Sequence, residues 1–131
     1  MSLINETIKK DFSMALILCT VVLTAYSQLI VKWRVNHAGA LPVDFGSKLV
    51  FLTRLMIDPW ILTAIAGAFI AGLSWMAAMT KMELSFAYPF MSLAFVLVSI
   101  SSAILFHEAV TLPKVLGMLL IIIGIVVTSR G

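Results

Sequence analysis

Two polar residues four positions apart stand near the end of the first apolar stretch, Gln28 and Lys32 in the segment SQLIVKW. In a helix this spacing places both side chains on one face. A lysine at the centre of a membrane helix costs about 2.5–3.5 kcal/mol on insertion scales, and less near its end. We predict an ammonium that faces a cavity and binds an anionic group such as phosphate. The alternative is an anchor that snorkels to the membrane surface.

A second polar group surrounds Pro89 in the segment SFAYPFMSLAF. Proline lacks an N–H, crowds the carbonyl of Ser85 and disfavours helical angles at Tyr88, so the helix is expected to be opened here or to begin only at the proline. Loose backbone groups are tolerated in a membrane only where protein or a water-filled cavity meets them. We therefore predict that Ser85, Tyr88 and Ser92 face an interior space. The alternative is that Pro89 only ends the preceding loop and that the serines bond back to carbonyls.

Two further residues are assigned beside these groups. Trp75 lies deeper in the second apolar stretch than the membrane-surface position usual for tryptophan, and it is a candidate for substrate contact. Glu108 follows the third stretch and is expected to pair with Lys114 or another interface cation, or to cap the last helix. The sequence has no Ser/His/Asp set, glycine-rich phosphate loop or zinc spacing. We predict that the chain is not an enzyme and holds neither a metal nor a cofactor.

The elements that carry these residues follow from composition. The chain has 131 residues, of which 62% are hydrophobic and 11% are charged, and its mean hydropathy is +1.12. A soluble domain of this length would not cover so much apolar surface, so an all-α membrane protein is predicted. The net charge is +3, but the basic residues sit singly or in pairs beside apolar runs. That pattern is typical of membrane-edge anchors and argues against a nucleic-acid partner.

Four stretches are long enough to cross a bilayer, which takes about 20 apolar residues. Short loops between them predict a compact bundle that forms a single domain over residues 1–131, with both termini on one side. A short amphipathic helix between the first and second spans is expected to lie in the interface plane. The predicted helices, in chain order, cover residues 12–33, 44–57, 59–80, 85–106 and 112–129.

The sequence says less about membrane orientation and subunit assembly than about the helices. Lysine and arginine number four on the side of the termini and five on the other side, so charge does not fix which way the protein inserts. Gly117 and Gly124 lie seven residues apart on one face of the last span. Glycine permits close backbone contact in lipid, and we predict a subunit interface there. The alternative is contact within the four-helix bundle.

Several segments resemble the small four-helix members of the drug/metabolite transporter superfamily: SQLIVKW in the first span, AYP followed by SL, HE in the last loop and GMLLIIIGIV in the last span. The chain is most similar to the paired subunits of the bacterial flippase for aminoarabinose linked to undecaprenyl phosphate. This resemblance implies a subunit of an inner-membrane transporter that moves a polyprenyl-phosphate-linked sugar between leaflets. It also implies a homodimer, or a heterodimer with a similar small subunit.

The resemblance further implies a role for each candidate residue. Lys32 would bind the phosphate at a polar groove between subunits while the lipid tail stays in the bilayer. Gln28, Tyr88 and Ser92 would bond phosphate or sugar hydroxyls. Arg34 would attract the phosphate at the mouth of the groove.

Two other functions stay open. Small multidrug resistance proteins of the same superfamily are proton-coupled exporters that carry a glutamate in the first membrane helix. Thr24 stands at that position here, no acid lies between Phe12 and Val31, and Met91 replaces an expected tryptophan. Without that carboxylate, no single group can both bind a drug cation and take up a proton. This argues against cation export. The other alternative is a non-transporting subunit that binds lipid and supports a lipid-modifying enzyme.

Overall fold

The computed structural model describes residues 2–131, with side chains for residues 2–5 and 11–131. Over this range the chain is helical and without strands, and all of its helices except the second are long and apolar enough to cross a membrane. The predicted all-α fold with four spans is confirmed. Met1, where the predicted domain starts, lies outside the described residues. The helices are α1 (Ser2–Ala38), α2 (Phe45–Met56), α3 (Pro59–Met79), α4 (Leu84–Leu105) and α5 (Leu112–Ser129).

Helix α1 is much longer than the predicted span of 12–33. Its 37 residues extend about 55 Å at 1.5 Å per residue, whereas the hydrocarbon layer is about 30 Å thick. The part apolar enough to span is Asp11–Ala38, so the first turns project beyond the hydrocarbon. The helix ends before Gly39, whose φ of 92° is readily adopted only by glycine.

Aspartates cap the start of α2 and α3. Asp44 caps α2, and Asp58 accepts a hydrogen bond from the backbone N–H of Trp60 at 2.9 Å. Pro59 occupies the first turn of α3, where a missing N–H has no consequence. Helix α2 has no buried residue along its length and touches α1 and α3 only lightly. It is the predicted short helix, and its position in the interface plane stays a prediction.

Helices α1 and α3 pack closely in antiparallel directions. Ser27 donates a hydrogen bond to the carbonyl of Ala64 at 2.7 Å, and Thr20 donates to the carbonyl of Ala71 at 3.2 Å. The partner number rises on α3 as the residue number falls on α1, which sets the direction. The buried stripe of α3 has small residues at spacings of three and four, which allows this close approach. Its members are Ile61, Ala64, Gly67, Ala71, Ser74 and Ala78.

Helix α1 is the centre of the bundle, since it packs against α3 and α4, and α5 packs against α4. The apolar core joins Ile17 and Val21 of α1 to Phe90 and Ala94 of α4. Within α5 the only buried residue is Ile125. Most of the apolar surface of α5 therefore faces outward, toward lipid or another protein.

Helix α4 continues past its proline. It begins at Leu84, before Pro89, so the expectation that the helix starts only at the proline is wrong. The ring has no N–H to give to the carbonyl of Ser85, which loses its helical partner. This break lies in the first turns of the helix, next to the loop that follows α3.

Candidate functional site

A cleft of about 500 Å³ opens between α1, α4 and α5. Its walls are mainly apolar, with a few polar groups: Thr24 and Gln28 from α1, and Ser99 and Ser102 from α4. Ligand pockets typically have volumes of about 300–1,000 Å³ and a few well-placed polar groups on apolar walls. The cleft has the size and the lining of a site for an amphiphile with a polar head.

Three charged side chains lie near one end of this cleft, although Lys32 itself is not part of the lining of this cleft. The ammonium of Lys32 lies 3.9 Å from Oε1 of Glu108, and these side chains are 51% and 41% exposed. Glu108 and Lys114 line the cleft itself, and Lys114 donates to the carbonyl of Ala109 at 3.1 Å. Since a distance of 3.9 Å exceeds hydrogen-bond length, the Lys32–Glu108 pair is loose. Each of these two groups has room for another partner.

The turn after α4 carries Glu108 to this position. Helix α4 ends at Leu105, and His107 adopts φ 54°, the left-handed conformation with which helices often stop. Glycine is the usual residue there, although histidine is enriched among the others that adopt it. Glu108 follows directly and reaches Lys32 of α1. It was expected to pair with Lys114 or another interface cation, and the cation it meets is Lys32.

A second cleft, of about 360 Å³, lies between α1, α3 and α4. Trp75 and Tyr88 line it, and their rings meet edge to face with centroids 6.2 Å apart. Thr24 and Gln28 line both clefts. The two clefts are therefore neighbours along α1, with the charged residues beside one and the aromatic pair beside the other.

Not every predicted residue lies in this space. Ser85 is exposed and Ser92 is half-buried, and neither is part of the lining of these two clefts. Of the hydroxyls expected around Pro89, only that of Tyr88 borders a cleft.

Arg34 lines neither cleft and is engaged at the start of α3. Its Nη2 and Nε donate to Oδ2 of Asp58 at 2.7 and 3.2 Å. Its guanidinium carbon lies 5.1 Å from the ring centroid of Trp33, and that ring meets Trp60 edge to face at 5.3 Å. This cluster fastens the end of α1 to the start of α3.

Asp58 is held in its charged form. Its partial burial acts to raise the pKa, but the hydrogen bond from Arg34, the backbone N–H of Trp60 and the charge of Arg34 outweigh that effect. The pKa of Asp58 therefore lies below its ordinary value of 3.8. No role for Asp58 was predicted from the sequence, although an aspartate directly before a proline at a helix start is a recognisable cap.

The two glycines of α5 face open space. A Cβ built on Gly117 or Gly124 would meet no atom of the described residues within 4 Å, outside the helix's own backbone. Among the described residues, neither glycine therefore has a close contact with another helix of the bundle, and the subunit interface stays a prediction. Thr24, Ser99 and Ser102 also had no assigned role, and only tertiary packing shows that they share a cleft.

The family follows from comparison with known proteins. The EamA-like transporter family matches residues 11–130, almost the whole chain. The chain belongs to the EamA-like transporter family. With its four apolar helices, this EamA-like protein is a multi-pass membrane protein. No solved structure was found that matches it.

Relatives of this EamA-like protein share a narrower name. It is 30% identical over 119 residues to the probable 4-amino-4-deoxy-L-arabinose-phosphoundecaprenol flippase subunit ArnE of Pseudomonas aeruginosa (strain UCBPP-PA14), covering 91% of this chain and 98% of the relative. The subunit ArnF of Photorhabdus laumondii is 30% identical over 86% of this chain and 93% of its own length. ArnF of Yersinia enterocolitica is 33% identical over 81% of this chain and 84% of its own length. The resemblance found in the sequence is confirmed.

Proposed function

We propose that this EamA-like protein is one subunit of an inner-membrane transporter that moves a polyprenyl-phosphate-linked sugar between leaflets. The head group named for its relatives, an amino sugar on a phosphate, has the polarity that the site calls for. The observation that carries the proposal is the cleft with hydroxyl and amide groups along its walls and with Glu108, which lies 3.9 Å from Lys32, in its lining.

The path of the lipid follows from the chemistry of the two clefts. Lys32 stands beside Glu108 of the larger cleft, and its ammonium is a compact charge on a flexible stem that suits a phosphate. Gln28 borders both clefts, so its amide can bond the head group in either of them. Tyr88 and Trp75 line the far end and offer aromatic faces and a phenol to a sugar. The apolar tail stays in the bilayer, so the clefts need to hold only the polar head group.

Arg34 takes a different part in this proposal from the one expected. Its guanidinium already has a carboxylate partner in Asp58 at 2.7 Å, so it attracts a phosphate only weakly. We assign it to holding the end of α1 in place, two residues from Lys32. Ser85 and Ser92 lie outside both clefts and contribute to transport less than Gln28 and Tyr88.

Assembly through α5 completes the proposal. The helix leaves most of its apolar surface open, and Gly117 and Gly124 permit a second helix to approach its backbone closely. Relatives are named as two kinds of subunit, ArnE and ArnF. We propose a pair with a similar small subunit, so that the cleft beside α5 lies near the seam.

Transport is favoured over catalysis and over cation export. The lining of both clefts contains one acid, Glu108, which lies at the exposed mouth and is paired with Lys32. At the deep position where a cation exporter needs its glutamate stands Thr24, which faces both clefts.

Reconstitution with a defined lipid tests the proposal. The full chain, with any partner that co-purifies, is placed in vesicles containing 4-amino-4-deoxy-L-arabinose-phosphoundecaprenol, and the lipid exposed on each leaflet is followed over time. Lys32→Ala is expected to lower the rate at least about tenfold, the loss of one charge-assisted contact. Lys81→Ala, a cation at the other end of the bundle, serves as the matched control. Full activity of Lys32→Ala would remove Lys32 from the mechanism, and an inactive wild type would reject the function.

A further inference from the structure

The loose ion pair at the mouth has a property that the proposed function does not use. Lys32 and Glu108 are half-exposed and lie 3.9 Å apart. Glu108 lines the larger cleft, and Lys32 stands beside it, outside the lining. A phosphate that binds Lys32 must come close to the carboxylate of Glu108. The two anions repel each other, and Glu108 loses its cation when Lys32 turns to the phosphate. A site for a simple anion would not be expected to hold an acid in this position.

A head group that carries both charges removes this conflict. If the sugar bears an ammonium group, Lys32 exchanges Glu108 for the phosphate, and Glu108 exchanges Lys32 for the ammonium. Each protein charge then keeps a partner of opposite sign, and no charge is left unpaired. Both side chains are flexible enough to open to the width of a sugar ring.

We propose that Lys32 and Glu108 form one site for zwitterionic head groups, in which Glu108 accepts the sugar ammonium and so determines specificity. The proposal rests on the proposed function for the phosphate half of the site. It adds a residue that selects amino sugars over neutral ones, because a neutral sugar leaves Glu108 unpaired beside the phosphate.

The other titratable residues near Glu108 cannot replace it as the acceptor of the sugar ammonium. Lys114 lines the same cleft but is a cation, and its ammonium is bonded to the carbonyl of Ala109 at 3.1 Å. It can assist Lys32 with the phosphate and would repel an ammonium. His107 is exposed beside Glu108, and when protonated it would also repel one. Among the residues that line the two clefts, Glu108 alone offers a negative charge.

A direct competition between two lipids tests this role. The probes are undecaprenyl phosphate carrying 4-amino-4-deoxy-L-arabinose and the same lipid carrying L-arabinose, which differ by one ammonium. Equal amounts are added to the purified full-length protein, and native mass spectrometry gives the ratio bound. The wild type is expected to favour the amino lipid by about tenfold, the worth of a hydrogen bond to a charged group. Glu108→Gln should bring the ratio near one, mainly by weakening the amino lipid.

Two more variants separate this inference from the proposed function. Glu83→Gln removes an exposed acid at the opposite end of the bundle, which makes no capping bond, and should keep the wild-type ratio. Lys32→Gln should weaken both lipids and keep the preference for the amino lipid. Helicity by circular dichroism shows that each variant is folded.

The outcomes point to different conclusions. A wild-type ratio near one, or an unchanged ratio in Glu108→Gln, overturns the role of Glu108 even if vesicles show that the lipid is transported. A ratio that collapses only in Glu108→Gln supports the role of Glu108 even if the wild type binds without transporting. Transport in vesicles, measured separately, decides the proposed function.

Discussion

A single methyl group added at Gly67 tests the contact on which the bundle depends. Gly67 lies in the buried stripe of α3, and a Cβ there would stand 3.1 Å from Oγ of Ser27 and 3.6 Å from Cδ1 of Tyr26. The hydroxyl of Ser27 is buried and donates to the carbonyl of Ala64 at 2.7 Å. It cannot move away from a new methyl group without weakening that bond.

The expected change in the free energy of unfolding on Gly67→Ala has two contributions of opposite sign. Forcing a methyl group into a packed site costs about 1–3 kcal/mol, whereas alanine is favoured over glycine in a helix by about 0.8–1.0 kcal/mol. Gly67→Ala should therefore lower the free energy of unfolding by about 1 kcal/mol. Gly72→Ala is the matched control, because a Cβ there meets nothing within 4 Å among the described residues. It should be neutral or slightly stabilising, so that the difference between the variants isolates the packing cost.

A double-mutant cycle shows whether the cost arises at Ser27. Ser27→Ala removes one hydrogen bond between membrane helices, which is worth on average about 0.6 kcal/mol. In the double variant the new methyl group no longer meets the hydroxyl oxygen. The loss should then be smaller than the sum of the two single losses, by about 1 kcal/mol.

Reversible unfolding in mixed micelles, with rising dodecyl sulfate and helicity followed by circular dichroism, measures these differences. If Gly67→Ala is as stable as Gly72→Ala, α1 and α3 do not approach each other at this level as closely as the structure shows. If the losses at Gly67 and Ser27 simply add, the packing cost does not arise at the hydroxyl of Ser27.

Two further predictions concern the fastening of α1 and the subunit seam. Since the pKa of Asp58 is lowered in the folded protein, the stability given by its pair with Arg34 is complete above pH 3.8 and is lost as pH falls through the lowered value. Asp58→Asn should remove that part of the acid sensitivity, and an unchanged acid profile would contradict the assignment. Gly124→Leu should dissociate the subunits, seen as a lower mass by light scattering, with helicity retained because the site is open. An intact pair would place the seam elsewhere.

The sequence predicted the spans because membrane helices must be long and apolar, a property that requires no tertiary information. It did not predict the length of α1, since hydropathy marks the part of a helix inside the hydrocarbon and not the polar turns before Asp11. Gln28 and Lys32 could be linked because they lie on one helix face. The pairing of Lys32 with Glu108 could not, because it depends on how α4 packs against α1 and on the left-handed turn at His107.

The end of α1 carries two cations whose surroundings differ in a way that fits two tasks. Lys32 and Arg34 are two positions apart, so they point to different sides of the helix. Two of the three guanidinium nitrogens of Arg34 donate to one oxygen of Asp58, at 2.7 and 3.2 Å, and its side chain is 26% exposed. Lys32 is 51% exposed and 3.9 Å from Glu108. A planar guanidinium suits the fixed contact, and a flexible ammonium suits one that must be exchanged. By fixing α1 against α3, the first contact holds in place the helix end from which the second reaches the cleft.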